Sequence, residues 1–184
     1  MFLPCKILNI YENRIPNIIK LQIFMSHQYV NQLIHVMWST LDQRPYISKQ
    51  FQDELYAYMT SLIKSKHGNV LAIGGSLDHL HLLMTLPSEI SIAEMIKHAK
   101  SYSSKWAKNK TSVNPDFGWQ KGFVAISTDE SKTNNVCNYI RADHLKHPFK
   151  SYQEELTEIL KQQNISYIDQ CRSPILCHAG ISRY

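Results

Sequence analysis

Apolar and polar positions along the middle of the chain alternate between two rhythms, a period of two and a period near 3.6. LIHVMWST (33–40) is rich in β-forming residues and predicts a strand. DQRPY follows as a turn, with Pro45 as a breaker. Ser48 is placed to cap a helix over about 49–66, where Phe51, Leu55, Tyr58, Met59 and Leu62 fall at helical spacing. His67-Gly68 closes that helix in the usual C-terminal manner. NVLAIGGSL (69–77) reads as a second strand loosened by Gly74-Gly75, and HLHLLMTL (79–86) as a third, ended by Pro87. Ser91 caps a second long helix, about 92–109, with Ile92, Met95, Ile96 and Ala99 on one face. After a polar loop, WQKGFVAIS (119–127) predicts a fourth strand; helices follow over 131–146 and 152–163.

The order β-α-β-β-α-β predicts an α+β fold of the ferredoxin-like, split βαβ kind. Its antiparallel sheet carries helices on one face, and a later helix follows. Such a fold hosts many functions and does not choose a chemistry. One domain is expected over 25–165, with 1–24 as an N-terminal extension and 166–184 as a C-terminal tail. Met25-Ser26 would make a natural start, so the extension reads as an upstream leader or an extra arm.

Composition changes this picture only a little. A chain of 184 residues with 43% hydrophobic content suits one globular core. The apolar runs are too short to span a membrane, and no signal peptide is evident, so a cytoplasmic protein is expected. Twenty Lys+Arg against fifteen Asp+Glu give a net charge of +5, which leans toward a polyanionic partner. Cys5, Cys137, Cys171 and Cys177 show no CxxC pairing and read as free thiols in a reducing compartment.

Three constellations carry candidate chemistry. In Asp78-His79-Leu80-His81, strand alternation puts both imidazoles on one face and Leu80, Leu82 and Met84 on the other. Two imidazoles on a rigid strand can share a divalent cation and leave room for a third ligand and substrate. On the 131–146 helix, Tyr139 and Asp143 are one turn apart and share a face. A tyrosine beside a carboxylate and a metal is a workable nucleophile for transesterification. The segment Lys97–Lys110 sets five lysines among Tyr102 and Trp106, a mix that binds phosphates and stacks on unpaired bases. Taken singly, each has a plainer reading: half-exposed histidines, a packing tyrosine, a solvated helix face.

Taken together, the blocks IHVMWST, GGSLDHLHLLMTLP, KSYSSKW, FGWQKGF–AIS and YIRADHLKHPFKSYQEEL, with NISY beyond, resemble the compact HUH transposases of insertion sequences, the TnpA type with a single tyrosine. The resemblance covers roughly 33–168. It implies metal-assisted cutting and rejoining of single-stranded DNA near hairpins, through a covalent 5′-phosphotyrosine. It implies Tyr139 as nucleophile and His79 and His81 as ligands of Mg²⁺ or Mn²⁺. It also implies a homodimer, often with the tyrosine of one subunit serving the histidines of the other. Where relatives carry glutamine, this chain has Asp143, a hard oxygen donor and the expected third ligand. His144 and His147 are the alternatives. Lys100, Lys105 and Trp106 are the candidate DNA contacts.

Two other readings stand beside this one. A two-histidine phosphodiesterase needs a second HxS or HxT motif, for which no convincing candidate exists here. A transposase-derived nucleic-acid-binding regulator would be marked by loss of the tyrosine or a histidine, and all three are present.

Overall fold

The computed structural model describes residues 30–110, 115–146 and 151–163, with side chains of the second stretch described through 141. Four strands, β1 (Gln32–Ser39), β2 (Asn69–Gly75), β3 (His79–Leu86) and β4 (Val124–Ser127), form one sheet in the order β2-β3-β1-β4. Every neighbouring pair is antiparallel. Helices α1 (Lys49–Lys64) and α2 (Ile92–Lys108) fall between β1 and β2 and between β3 and β4, which is the ferredoxin-like arrangement the hydrophobic rhythm predicts. No helix among the described residues is long and apolar enough to cross a membrane.

Strand alternation sorts the core into two halves. Ile34, Val36 and Trp38 of β1 and Leu80, Leu82, Met84 and Leu86 of β3 face α1 and α2. There they pack on Phe51, Leu55, Met59, Ile63, Met95, Ile96 and Ala99, a single large cluster. Each fully buried aliphatic side chain stabilises such a cluster by about 1.5–3 kcal/mol. The other sheet face is covered as well. Helix α3 (Thr133–Lys146) sets Cys137 and Ile140 against Ala72 and Leu83, and α4 (Tyr152–Gln162) sets Leu156, Ile159 and Leu160 against Met37. The sheet is thus a middle layer, with the ferredoxin-like helices on one side and the later helices on the other.

Local chemistry explains most boundaries. Ser91 and Ser151 both close capping boxes, with Glu94 and Glu154 respectively. Ser48 occupies the N-cap of α1 in extended conformation, yet its side chain makes no cap hydrogen bond. At the other end of α1 the left-handed residue is His67 (φ 63°), not the glycine after it. The fourth strand is shorter than its apolar pattern predicts. Trp119 makes only an isolated bridge to Thr40, and Gly122 turns left-handed (φ 83°) before β4 begins. Gly74 has a different role. A Cβ there would lie 2.4 Å from the Ile140 carbonyl oxygen, so its lack of a side chain lets α3 sit directly on β2.

Candidate active site

His79 and His81 leave β3 on the side covered by α3 and α4, and both are fully buried. Their ring centroids are 5.1 Å apart. Each is held at Nδ1. The Asp78 carboxylate accepts from His79 Nδ1 at 2.6 Å, and His81 Nδ1 lies 3.1 Å from Nε2 of His35 on β1. At the opposite nitrogens stands one carboxylate. Glu155 Oε2, from the first turn of α4, is 2.9 Å from His81 Nε2 and 3.6 Å from His79 Nε2.

The third component arrives from α3. The Tyr139 hydroxyl donates to the same Glu155 Oε2 at 2.9 Å, with the tyrosine ring edge-on to His81. Tyr152 approaches from the start of α4, its ring centroid 6.0 Å from that of His79. Two helices and two strands therefore converge on a buried knot of two imidazoles, a carboxylate and a phenol.

Burial by itself would raise the Glu155 pKa, but hydrogen bonds and charge from His79 and His81 outweigh it and hold the carboxyl well below the usual range. His35 goes the other way from an ordinary histidine: burial, reinforced by His81 and opposed by Glu155, lowers it to about 3. At neutral pH the site thus holds an ionised carboxylate and a neutral His35.

A divalent cation fits this donor set. His79, His81 and Glu155 each bring a ligand atom within 4.8 Å of the others. Glu155 Oε1 is buried and has no hydrogen-bond partner among the described residues. Two imidazoles and a carboxylate are ligands that divalent first-row and hard cations accept, and a buried carboxylate oxygen is costly unless it is paired or bound to a metal.

Of the residues singled out in the sequence, His79, His81 and Tyr139 meet here. Asp143 lies on α3 one turn beyond Tyr139, but its side chain is outside the described residues, as are those of His144 and His147. Glu155 is the residue that motif reasoning missed. A signal was present: Glu155 falls at helical spacing with Tyr152, Leu156 and Ile159, so a carboxylate interrupts the apolar face of an amphipathic helix.

The three candidate DNA contacts separate. Lys100 Nζ donates to the carbonyls of Gln120 and Gly122 at 2.7 and 2.5 Å, tying down the loop that precedes β4. Trp106 is stacked with Phe51 and Tyr58, and Lys110 lies over its ring. These two side chains serve the fold, whereas Lys105 is exposed on α2.

The model of the family described as "Transposase IS200 like" matches residues 28–143, a span that includes both histidines and Tyr139 and ends before Glu155. A search of curated proteins returns no significant match. Among solved structures, a REP-associated tyrosine transposase bound to a REP hairpin is similar at a TM-score of 0.51 and 16% identity, over 67% of this chain and 73% of that one. A candidate transposase from Deinococcus radiodurans r1 gives a TM-score of 0.49 and 18% identity, over 64% of this chain and 95% of its own.

Proposed function

The chain belongs to the IS200-like transposase family, and from that premise we propose that it cuts and rejoins single-stranded DNA with Tyr139 as nucleophile. The observation that carries this reading is the Tyr139 hydroxyl on Glu155 Oε2 at 2.9 Å, with that oxygen 2.9 Å from His81 Nε2. The Tyr139 hydroxyl, its orienting carboxylate and His81 lie within one hydrogen-bond network, with His79 Nε2 3.6 Å from the same carboxylate oxygen.

Attack by Tyr139 Oη on a phosphodiester forms an Oη–P bond and breaks the P–O3′ bond. The DNA keeps a free 3′ hydroxyl, and its 5′ phosphate stays on tyrosine. Glu155 orients the phenol, whose proton passes to solvent as the Oη–P bond develops, while the departing 3′ oxygen takes a proton from solvent. A second 3′ hydroxyl reverses these events and rejoins the strand, with the bond energy conserved in the ester. His79, His81 and Glu155 would hold the Mg²⁺ or Mn²⁺ ion, which supplies polarisation of a phosphate oxygen.

Room for a strand exists next to the nucleophile. A cavity of about 460 Å³ is lined by His35, Tyr139, Lys132, Asn135 and Gln162, among others. The similar REP-associated transposase was solved on a hairpin, and a hairpin with single-stranded flanks is the substrate proposed here. The test is a denaturant-resistant protein–DNA adduct on such a hairpin in the presence of Mg²⁺. It should form with the native chain and vanish with Tyr139→Phe while hairpin binding persists. An adduct with Tyr139→Phe would overturn the assignment.

A further inference from the structure

An imidazole that ligates a metal through one nitrogen carries its proton on the other, and the partner of that outer N–H sets which way the ring faces. Both histidines of this site have such a partner. Asp78 Oδ1 is an acceptor only, so at 2.6 Å it fixes the proton of His79 on Nδ1 and turns Nε2 to Glu155. His35 lies opposite Leu83 in the β1–β3 register and is therefore diagonal to His81, two positions back along β3. Side chains of imidazole length meet across such a diagonal, and here they do, at 3.1 Å between His35 Nε2 and His81 Nδ1 with the rings stacked.

We propose that His35 and Asp78 are positioning residues, which hold Nδ1 of His81 and of His79 so that both Nε2 atoms stay aimed at Glu155 and the cation site is formed before the ion arrives. The proposal rests on the metal reading above and deepens it. In the loaded site His81 Nδ1–H donates to His35 Nε2, and His35 keeps its own proton on Nδ1. A flip of the His81 ring would break that bond and withdraw its ligand atom.

The supports are themselves anchored. Thr40, fully buried, donates its backbone N–H to the Asp78 carbonyl at 2.8 Å, with its hydroxyl 3.0 Å from that oxygen and 2.6 Å from the Arg44 carbonyl. The backbone that carries the Asp78 carboxylate is thereby tied to the end of β1. His35 sits inside β1, paired to β3 on one side and to β4 on the other. Asp78 ends the short β2–β3 connection, where the Thr40 contact holds it, and His35 is fixed by the sheet itself.

Mn²⁺ titration of the full-length protein, with free Mn²⁺ read by electron paramagnetic resonance, tests this without cleavage. Outer-shell partners of metal-bound histidines are worth about 10–100-fold in affinity, and His35→Phe and Asp78→Ala should each weaken binding within that range. His35→Gln places an amide oxygen near the position of Nε2 and should recover most of the affinity. His35→Asn reaches only as far as Nδ1 and should not. Asp78→Asn keeps an acceptor oxygen and should also recover. Native affinity in His35→Phe and Asp78→Ala, alongside loss of binding in His79→Ala and His81→Ala, would overturn the proposal and leave the metal reading standing. So would equal recovery by His35→Asn and His35→Gln. A native protein that takes up no Mn²⁺ would strike the metal reading itself, and this inference with it.

Discussion

The hydroxyl of Tyr139 and the carboxylate of Glu155 are 2.9 Å apart, although sixteen residues and a helix boundary separate them in the chain. Tyr139 reaches the spot from α3 and Glu155 from α4, and both helices lie on the sheet face that the ferredoxin-like pair leaves open. The contact closes a path from the proposed nucleophile to the histidines within a single chain.

That path bears on how subunits share work. The family resemblance implies a dimer, often with the tyrosine of one subunit serving the partner's histidines. With the hydroxyl already on the carboxylate of its own site, a mixture of His81→Ala and Tyr139→Phe subunits should regain no cleavage. Adduct formation restored in the mixture, read on a denaturing gel, would assign the working tyrosine to the partner.

The third ligand can be assigned by metal titration of cleavage. Glu155→Ala should raise the Mg²⁺ concentration for half-maximal cleavage about tenfold or more, by removing a hard oxygen from the set. Asp143→Ala, the change that the sequence resemblance points to, should raise it less. The reverse order would return the third ligand to α3.

Gly74 sets the height of the tyrosine helix above the sheet. Gly74→Ala would drive a methyl to 2.4 Å from the Ile140 carbonyl oxygen, a backbone atom that can yield only if α3 moves. A cost of about 1–3 kcal/mol is expected, seen as a lower Tm. Cleavage should fall further than Mn²⁺ affinity, because the proposed nucleophile, Tyr139, rides on α3 whereas the histidines and Glu155 do not. An unchanged Tm would show that α3 has slack at this point.

Lys100 and Lys105 should behave differently although they are neighbours on α2. Lys105→Ala should weaken hairpin binding and lower the slope of log affinity against log salt by about one. Lys100→Met should leave that slope alone. Burial lowers the Lys100 pKa from 10.5 to about 8, so the unfolded chain holds the extra proton between those values. Native stability therefore gains with rising pH across that window. The gain should be absent from Lys100→Met, as measured by denaturant titration at pH 8 and pH 10. A changed salt slope in Lys100→Met would make it a phosphate contact after all.

Much of this protein is legible along its sequence, because local rules decide it. Period-two and helical rhythms mark the four strands and four helices of the described residues, and the cap expected at Ser91 marks the start of α2. Alternation alone puts His79 and His81 on one face of β3 and Leu80, Leu82 and Met84 on the other. Local rules also mislead where a tertiary demand intervenes. Lys100 and Trp106 have the composition of a nucleic-acid surface, but backbone carbonyls and aromatic rings claim them. The fourth strand starts late because Gly122 turns left-handed. Glu155 could not be joined to the histidines by spacing, since no local rule states which face of the sheet α3 and α4 will cover, and His35 reaches His81 only through the β1–β3 register. Packing decides that. The apolar faces of both helices find the one uncovered side of the sheet, and only then do a carboxylate, a phenol and three imidazoles from separate elements meet.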